Sequence, residues 1–496
     1  MEMNRKPLKI AVYAAIGVLW AISMAYLLRS VHDDTFASYR PETRIVAGAL
    51  SEWMGLYMGT RKIGYDHEEM LPSKGGFVFR TRLFMRIMLM GHEKDITTVA
   101  DSTTDSNYLL KDLNFSLKTA GMEIAARGRI EHETLFLHMI GPGGETTRQI
   151  PLKEPILDSD SIVMRIVKDG FGRSVYNFYT FDPTVQQTLP VRVRILGREE
   201  KTIMNSPVST FKLRVAIKDM SETMWVTPQG ETVEEISPLG FRAVLEPRAI
   251  ALTKGWGKEP VDLIAATAIR AQGISITYPA EVRSMEAYVT GMTGSELLPS
   301  FDFQTQQGDL VTVRTPADIR SYRLPYRGAE DLHGLSVRQE LKSSPLINAD
   351  NRNIIDTARS ILNGETDARK AAAMINRWVY VHVKDSYTVA LPRSIDLLQS
   401  PKGDCKAHTI LFTALARAVG IPTKMAMGVV LMGDGYFYYH AWPLVYLGGW
   451  VPVDPTLGEF PADATHIVLA SGDLTNWMNI LGVVGKLRID IMRARP

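Results

Sequence analysis

The sequence predicts an α+β chain in three parts: an N-terminal transmembrane helix, a large antiparallel β-rich region and a C-terminal α+β domain. Three observations lead there. Residues 10–28 are apolar without a charge, residues from about 52 to 315 alternate polar and apolar in short runs, and from Arg352 the apolar spacing becomes helical. At 496 residues the chain is too long for one core, and roughly 100–200 residues per domain suggests two or three domains. The expected boundaries are a cytoplasmic stub and signal-anchor at 1–30, a connector at 31–50, β-rich sequence at 51–315, a linker at 316–350 and the last domain at 351–496.

The first element is IAVYAAIGVLWAISMAYLL. At helical rise these nineteen residues cover about 28 Å, close to the hydrocarbon thickness of a bilayer. Arg5, Lys6 and Lys9 precede it, whereas Arg29 is followed by Asp33 and Asp34. This bias expects a single-pass protein with a cytoplasmic N-terminus and its bulk in the periplasm or otherwise outside the cytoplasm. A cleaved signal peptide is the rival reading, because Ser23-Met24-Ala25 loosely resembles a cleavage site; the apolar run continues past it, which favours the anchor.

In the second part FVFRTRLFMRIML (77–89) alternates as a half-buried strand should, and 115–117, 122–130 and 134–139 continue the pattern up to the turn Gly141-Pro142-Gly143-Gly144. A second set follows at 191–196, 211–217, 222–226 and 231–236, then a helix-like interruption at 261–272 and strand character near 286–290 and 310–313. Two similar curved sheets would fit. The histidines here (His67, His92, His132, His138) lack metal-ligand spacing with nearby carboxylates, and no phosphate-binding glycine loop occurs, so a structural or ligand-holding scaffold is expected.

Bulk composition excludes several functions. A net charge of +2 supplies no electrostatic reason to bind nucleic acid. A single cysteine forbids an intramolecular disulfide and any Cys-rich metal site. No Asp-rich calcium loop is present, and no cofactor or metal is expected.

The chemistry concentrates in the third part. After apolar stripes at Ile354, Ile355, Ala358, Ile361 and Leu362, and at Ala371, Met374, Ile375, Trp378 and Val379, comes KGDCKAHTILFTALARAVGIPTKMAMGVVLM. Gly403-Asp404 offers a turn and cap, 406–419 is strongly helical and Gly420 stops the helix. Cys405 therefore sits in the first turn, where orphan amides, the helix dipole, Lys402 and Lys406 favour thiolate. YFYYHAWPLVYLGGWVPVDPTLG then places His440 and Asp454 on two strand-like segments joined by Gly448-Gly449, able to bring base and orienting carboxylate together. His408 is within reach of Cys405 on the same helix but lacks an obvious carboxylate, so it reads as packing. Asp404 reads as a cap and His466 as structural.

The ordered run G-D-C, A-L-A-R-A-V-G-I-P, H-A-W and G-G-W-V-P-V-D-P-T resembles the core of the transglutaminase-like (papain-related) superfamily, in a bacterial membrane-anchored form, over roughly residues 352–475. The resemblance implies a papain-like α+β fold and a catalytic triad of Cys405, His440 and Asp454. It implies acyl transfer on amides through a thioester, by peptidase- or amidase-like hydrolysis or by transamidation, on a protein or peptide substrate at the outer face of the membrane. One departure is Leu444, where many relatives carry an acidic residue. The alternative is a non-catalytic binding or envelope-scaffold protein that uses this fold and the β-rich region to hold a peptide, glycan or lipid.

Overall fold

The computed structural model describes residues 49–119, 122–217, 220–237, 240–253, 262–292, 298–326, 334–386, 391–472 and 483–496. The chain divides into two compact units, one ending at Asp262 and the other running from Leu263 to Pro496. The anticipated β-rich stretch 51–315 crosses that division.

The first unit contains one fourteen-stranded sheet. Eight strands, β1 (Leu50–Met58) to β8 (Gly144–Pro151), each pair antiparallel with the next; six more, β9 (Val175–Asp182) to β14 (Phe241–Leu245), do the same. β14 returns to pair with β1 in the register Met54↔Leu245, which joins the two meanders into one sheet. Period-two alternation builds these strands. In the strand Gly76–Leu89, Phe79, Thr81, Leu83, Met85, Ile87 and Leu89 are buried, while the residues between them are exposed or half-buried. Among the described residues the unit also carries two short α-helices, α1 (Ile162–Lys168) and α2 (Arg248–Ala251).

The second unit opens with α3 (Leu263–Thr267) and β15 (Ile269–Arg270), so the expected helical interruption is helical only over its centre. One sheet has the order β16 (Gln272–Gly273), β26 (Arg488–Arg495), β17 (Ser284–Thr290), β19 (Leu310–Arg314), β18 (Gln304–Gln307). The other has β15, β23 (Tyr436–Tyr446), β22 (Thr423–Leu431) and β25 (Ile467–Gly472) in order, with β24 (Trp450–Pro452) also paired to β23. Helices α4 (Gly334–Gln339), α5 (Arg352–Leu362), α6 (Ala368–His382), α7 (Ser394–Gln399) and α8 (Cys405–Ala418) precede β22, and the short β20 (Lys384–Asp385) and β21 (Lys402–Gly403) pair in parallel. α8 packs on β22 and β23 and against α5, α6 and α7. Its Ile410, Leu411, Ala414 and Leu415 are fully buried, each larger side chain contributing roughly 1.5–3 kcal/mol of transfer free energy.

Two expectations are corrected. Among the described residues strand outweighs helix, 52% against 18%, rather than the mixed α+β balance expected. Long unbroken alternation yields strands such as Gln187–Ile203, whereas most helices are short and lie in the second unit. The expected membrane-spanning segment 10–28 lies outside the described residues. Among the described residues no helix is long and apolar enough to cross a membrane, so the single-pass anchor and the periplasmic placement inferred from it are withdrawn.

Candidate active site

Cys405 opens α8. The Asp404 carboxylate caps the helix by accepting the Lys406 amide N–H at 3.0 Å, and it also accepts from Lys406 Nζ at 2.7 Å in an ion pair with no solvent exposure. Lys406 is thus committed to Asp404. At the far end of the helix Gly420 adopts φ 87°, a left-handed conformation suited to glycine.

His440 lies on β23, which pairs with β22 through the turn containing Gly435 (φ 83°). Gly428 stands opposite His440, and a Cβ there would collide with the Ile467 carbonyl and the Trp442 ring, so only glycine lets β25 and Trp442 come this close. The Gly448-Gly449 turn brings β24 back along β23, with Leu444 opposite Pro452 and the Val453 amide bonded to the Pro443 carbonyl at 3.0 Å. Asp454 follows at once. Its backbone exchanges two 2.9 Å hydrogen bonds with Glu459, and its Oδ1 accepts from the Thr456 and Leu457 amides at 2.7 and 3.1 Å.

This local folding brings His440 and Asp454 together and sets Cys405 beside the backbone that follows His440. His440 Nε2 hydrogen-bonds Asp454 Oδ2 at 2.7 Å. The Cys405 thiol accepts a hydrogen bond from the Ala441 amide, the residue next to His440. Trp442 stacks on His440 with centroids 5.6 Å apart. Cys405, His440 and Asp454 all have 0% solvent exposure.

Burial controls the electrostatics. It pushes the Cys405 thiol well above its ordinary value, and the Asp404 charge adds to the rise while Lys406 opposes it. Burial thus works against the thiolate-favouring helix start, and the nearby cation Lys406 is ion-paired with Asp404. Burial also lowers His440, against the pull of Asp454. Asp454 is pushed up by burial, but the His440 charge and hydrogen bond, with those of His466, hold it well below the usual carboxylate range.

His408 donates Nδ1–H to the Asp404 carbonyl at 2.9 Å, a bond within its own helix. His466 occupies an unexpected place: its Nε2 lies 3.2 Å from the same Asp454 Oδ2 that His440 contacts. The available signal was the density of ionisable residues just past D-P-T, with Glu459, Asp463 and His466 in one short stretch. The ligand-type atoms of His440, Asp454 and His466 lie within 4.8 Å of one another, as do those of Glu459, Asp463 and His466. In the first set these atoms are the ones that make the hydrogen bonds just described.

Residues 355–455 match the family model described as the Transglutaminase-like superfamily. No curated protein matches the chain. Among solved structures, a β-barrel-like protein of a domain of unknown function from Brucella abortus shares 15% identity at TM-score 0.33, over 40% of this chain and 95% of that one. A candidate cysteine protease from Cytophaga hutchinsonii shares 13% identity at TM-score 0.28, over 43% and 86%. A candidate protease from Parabacteroides distasonis shares 12% at TM-score 0.19, over 70% and 69%. The family match points to cysteine-enzyme chemistry, and the chain thus carries, over residues 355–455, a domain of the transglutaminase-like superfamily.

Proposed function

We propose that this domain transfers acyl groups from amide bonds of a protein or peptide substrate, with Cys405 as nucleophile, His440 as base and then acid, and Asp454 as the carboxylate that orients the imidazole. The observation that carries this reading is the 2.7 Å bond from His440 Nε2 to Asp454 Oδ2, beside a thiol that accepts the N–H of the residue following His440.

The geometry orders the steps. Because Nε2 faces Asp454, the proton exchanged with sulfur travels through Nδ1. The raised thiol and lowered imidazole favour the neutral pair at rest, so the proton leaves Sγ as sulfur attacks the carbonyl carbon. The imidazolium then protonates the amide nitrogen, the C–N bond breaks and a thioester remains. Water, deprotonated by His440, yields an acid and restores the thiol; an amine as acceptor yields a new amide. Since the thiol has no exposure, the residues covering it must move aside before an amide can enter.

That complete burial favours a second reading, a non-catalytic module that holds a partner. One experiment separates the two: iodoacetamide labelling of the full chain across about pH 5 to 9, bracketing the free-thiol value of about 8.5. Labelling at neutral pH that falls roughly 10²–10⁴-fold in His440→Ala supports acyl transfer. Slow labelling of folded protein, indifferent to His440→Ala and Asp454→Ala, supports the module.

A further inference from the structure

Asp454 serves two imidazoles. Its Oδ2 contacts His440 Nε2 at 2.7 Å and His466 Nε2 at 3.2 Å. At its other ring nitrogen, His466 Nδ1 faces the Asp463 carbonyl at 3.1 Å and Asp463 Oδ1 at 3.3 Å. The ring is 1% exposed and meets the Trp442 ring at a 79° edge-on angle with centroids 5.0 Å apart.

Proton accounting decides the state of this ring. A neutral imidazole offers one N–H and one lone pair. Both nitrogens of His466 face oxygens that already act as acceptors. Asp454 Oδ2 takes the His440 proton, and Oδ1 of the same carboxylate takes the Thr456 and Leu457 amides. Asp463 Oδ1 takes the Thr465 amide at 2.7 Å and the Thr465 hydroxyl at 2.6 Å. A carbonyl has no proton to give. Only an imidazolium, with a donor at each nitrogen, satisfies both ends.

We propose that His466 is a permanently protonated positioning residue that pins Asp454 and, by sharing its carboxylate with His440, sets how readily His440 takes the Cys405 proton. The inference rests on the acyl-transfer reading only in its last clause. Two consequences follow from the geometry. Asp454 is held by four donors and cannot rotate without losing several. Its single negative charge is also divided between two rings, so it supports imidazolium at His440 less than an undivided partner would, and the cation of His466 adds direct repulsion.

The surrounding groups agree with this balance. Around His466 stand Asp463 and Glu459 from the loop after β24, Asp454, and His440 on β23; α8 contributes His408 near His440, while the Asp404–Lys406 pair at the start of that helix acts on Cys405. The carboxylates of Asp463 and Asp454 raise His466 well above its ordinary value despite burial, whereas His466 and His408 both lower His440.

The test is ring-nitrogen NMR on histidine-labelled full chain, with His466→Gln compared to wild type. Both His466 nitrogens are expected to stay protonated across about pH 5 to 9. In His466→Gln, which keeps a donor for Asp454 but loses the charge, the His440 titration midpoint is expected to rise by about one unit. The pH midpoint of Cys405 alkylation should fall in parallel, because a more basic imidazole stabilises thiolate. A His466 ring with one bare nitrogen in wild type overturns the proposal, as does an unchanged His440 midpoint in folded His466→Gln. The wild-type spectrum stands even if the variant fails to fold. Should Cys405 prove unreactive in wild type, the acyl-transfer reading falls while the histidine titrations still decide this one.

Discussion

Each unit buries carboxylates, and their hold on a proton moves in opposite directions. In the first unit Asp158 and Asp160 are 9% and 6% exposed; in the second Asp454 is 0% exposed. Burial pushes all three towards the protonated form. Asp158 and Asp160 stay raised because their partners are neutral. Asp158 accepts from the Asp160 amide at 3.1 Å, Asp160 accepts from the Thr81 hydroxyl at 2.6 Å, and the charge of Asp158 pushes Asp160 up further. Asp454 ends well below the normal range because two of its four donors are imidazoles. The lesson is that depth of burial does not decide ionisation; the charge on the donors does.

The largest test breaks the Asp454 side of this contrast. Asp454→Asn removes the charge and keeps the shape, and alkylation of Cys405 at neutral pH is expected to slow by roughly 10²–10⁴-fold. An unchanged rate would show that the four donors hold a structural anion with no hold on the thiol.

Glu459 sharpens the comparison, since it lies beside Asp454 yet behaves like the first unit's acids. Burial first, then the Asp463 charge, raises it from 4.5 to about 8. The folded state thus keeps a proton that the unfolded chain releases, and this group's contribution to stability declines as pH rises from 4.5 to about 8. Its side chain is half-buried, so solvent screens part of the effect. Urea unfolding of Glu459→Gln should show a gain of roughly 2 kcal/mol near neutral pH and little change near pH 4. A variant that is weaker at both pH values would mean the carboxyl is ionised in the fold.

The smallest effect is expected at Asp158, raised from 3.8 to about 6 mainly by burial. By the same sign, its contribution to stability declines as pH rises through that interval. Asp158→Asn should flatten the slope, with a gain of roughly 1 kcal/mol at neutral pH in urea midpoints. A loss there would place a charged partner near the pair and erase the distinction between the two units.

Much of the local structure was legible in the residues. Strand alternation at 77–89 corresponds to the strand Gly76–Leu89, and the apolar stripe from Ala371 to Val379 corresponds to α6, which Asp367 caps through the Lys370 amide. Other features were not legible. The return of β14 to β1 pairs residues nearly two hundred positions apart, and no periodicity encodes which strands become neighbours. The helical weight of the chain was overestimated because a few clear amphipathic helices near the C-terminus stand out more sharply than many half-buried strands.

What the sequence determined by itself is what depends on near neighbours. Asp404 caps the helix that begins at Cys405, Gly435 turns β22 into β23, and Gly448-Gly449 sets β24 against the strand that carries His440. Caps and turns act over two to four residues, so composition and spacing suffice to place them. Only the tertiary structure decided the electrostatic balance: a thiol pushed up by burial at a helix start that by itself favours thiolate, and a second imidazole on the Asp454 carboxylate. Desolvation and shared acceptors depend on what the whole fold packs around an atom, and no run of residues states that in advance.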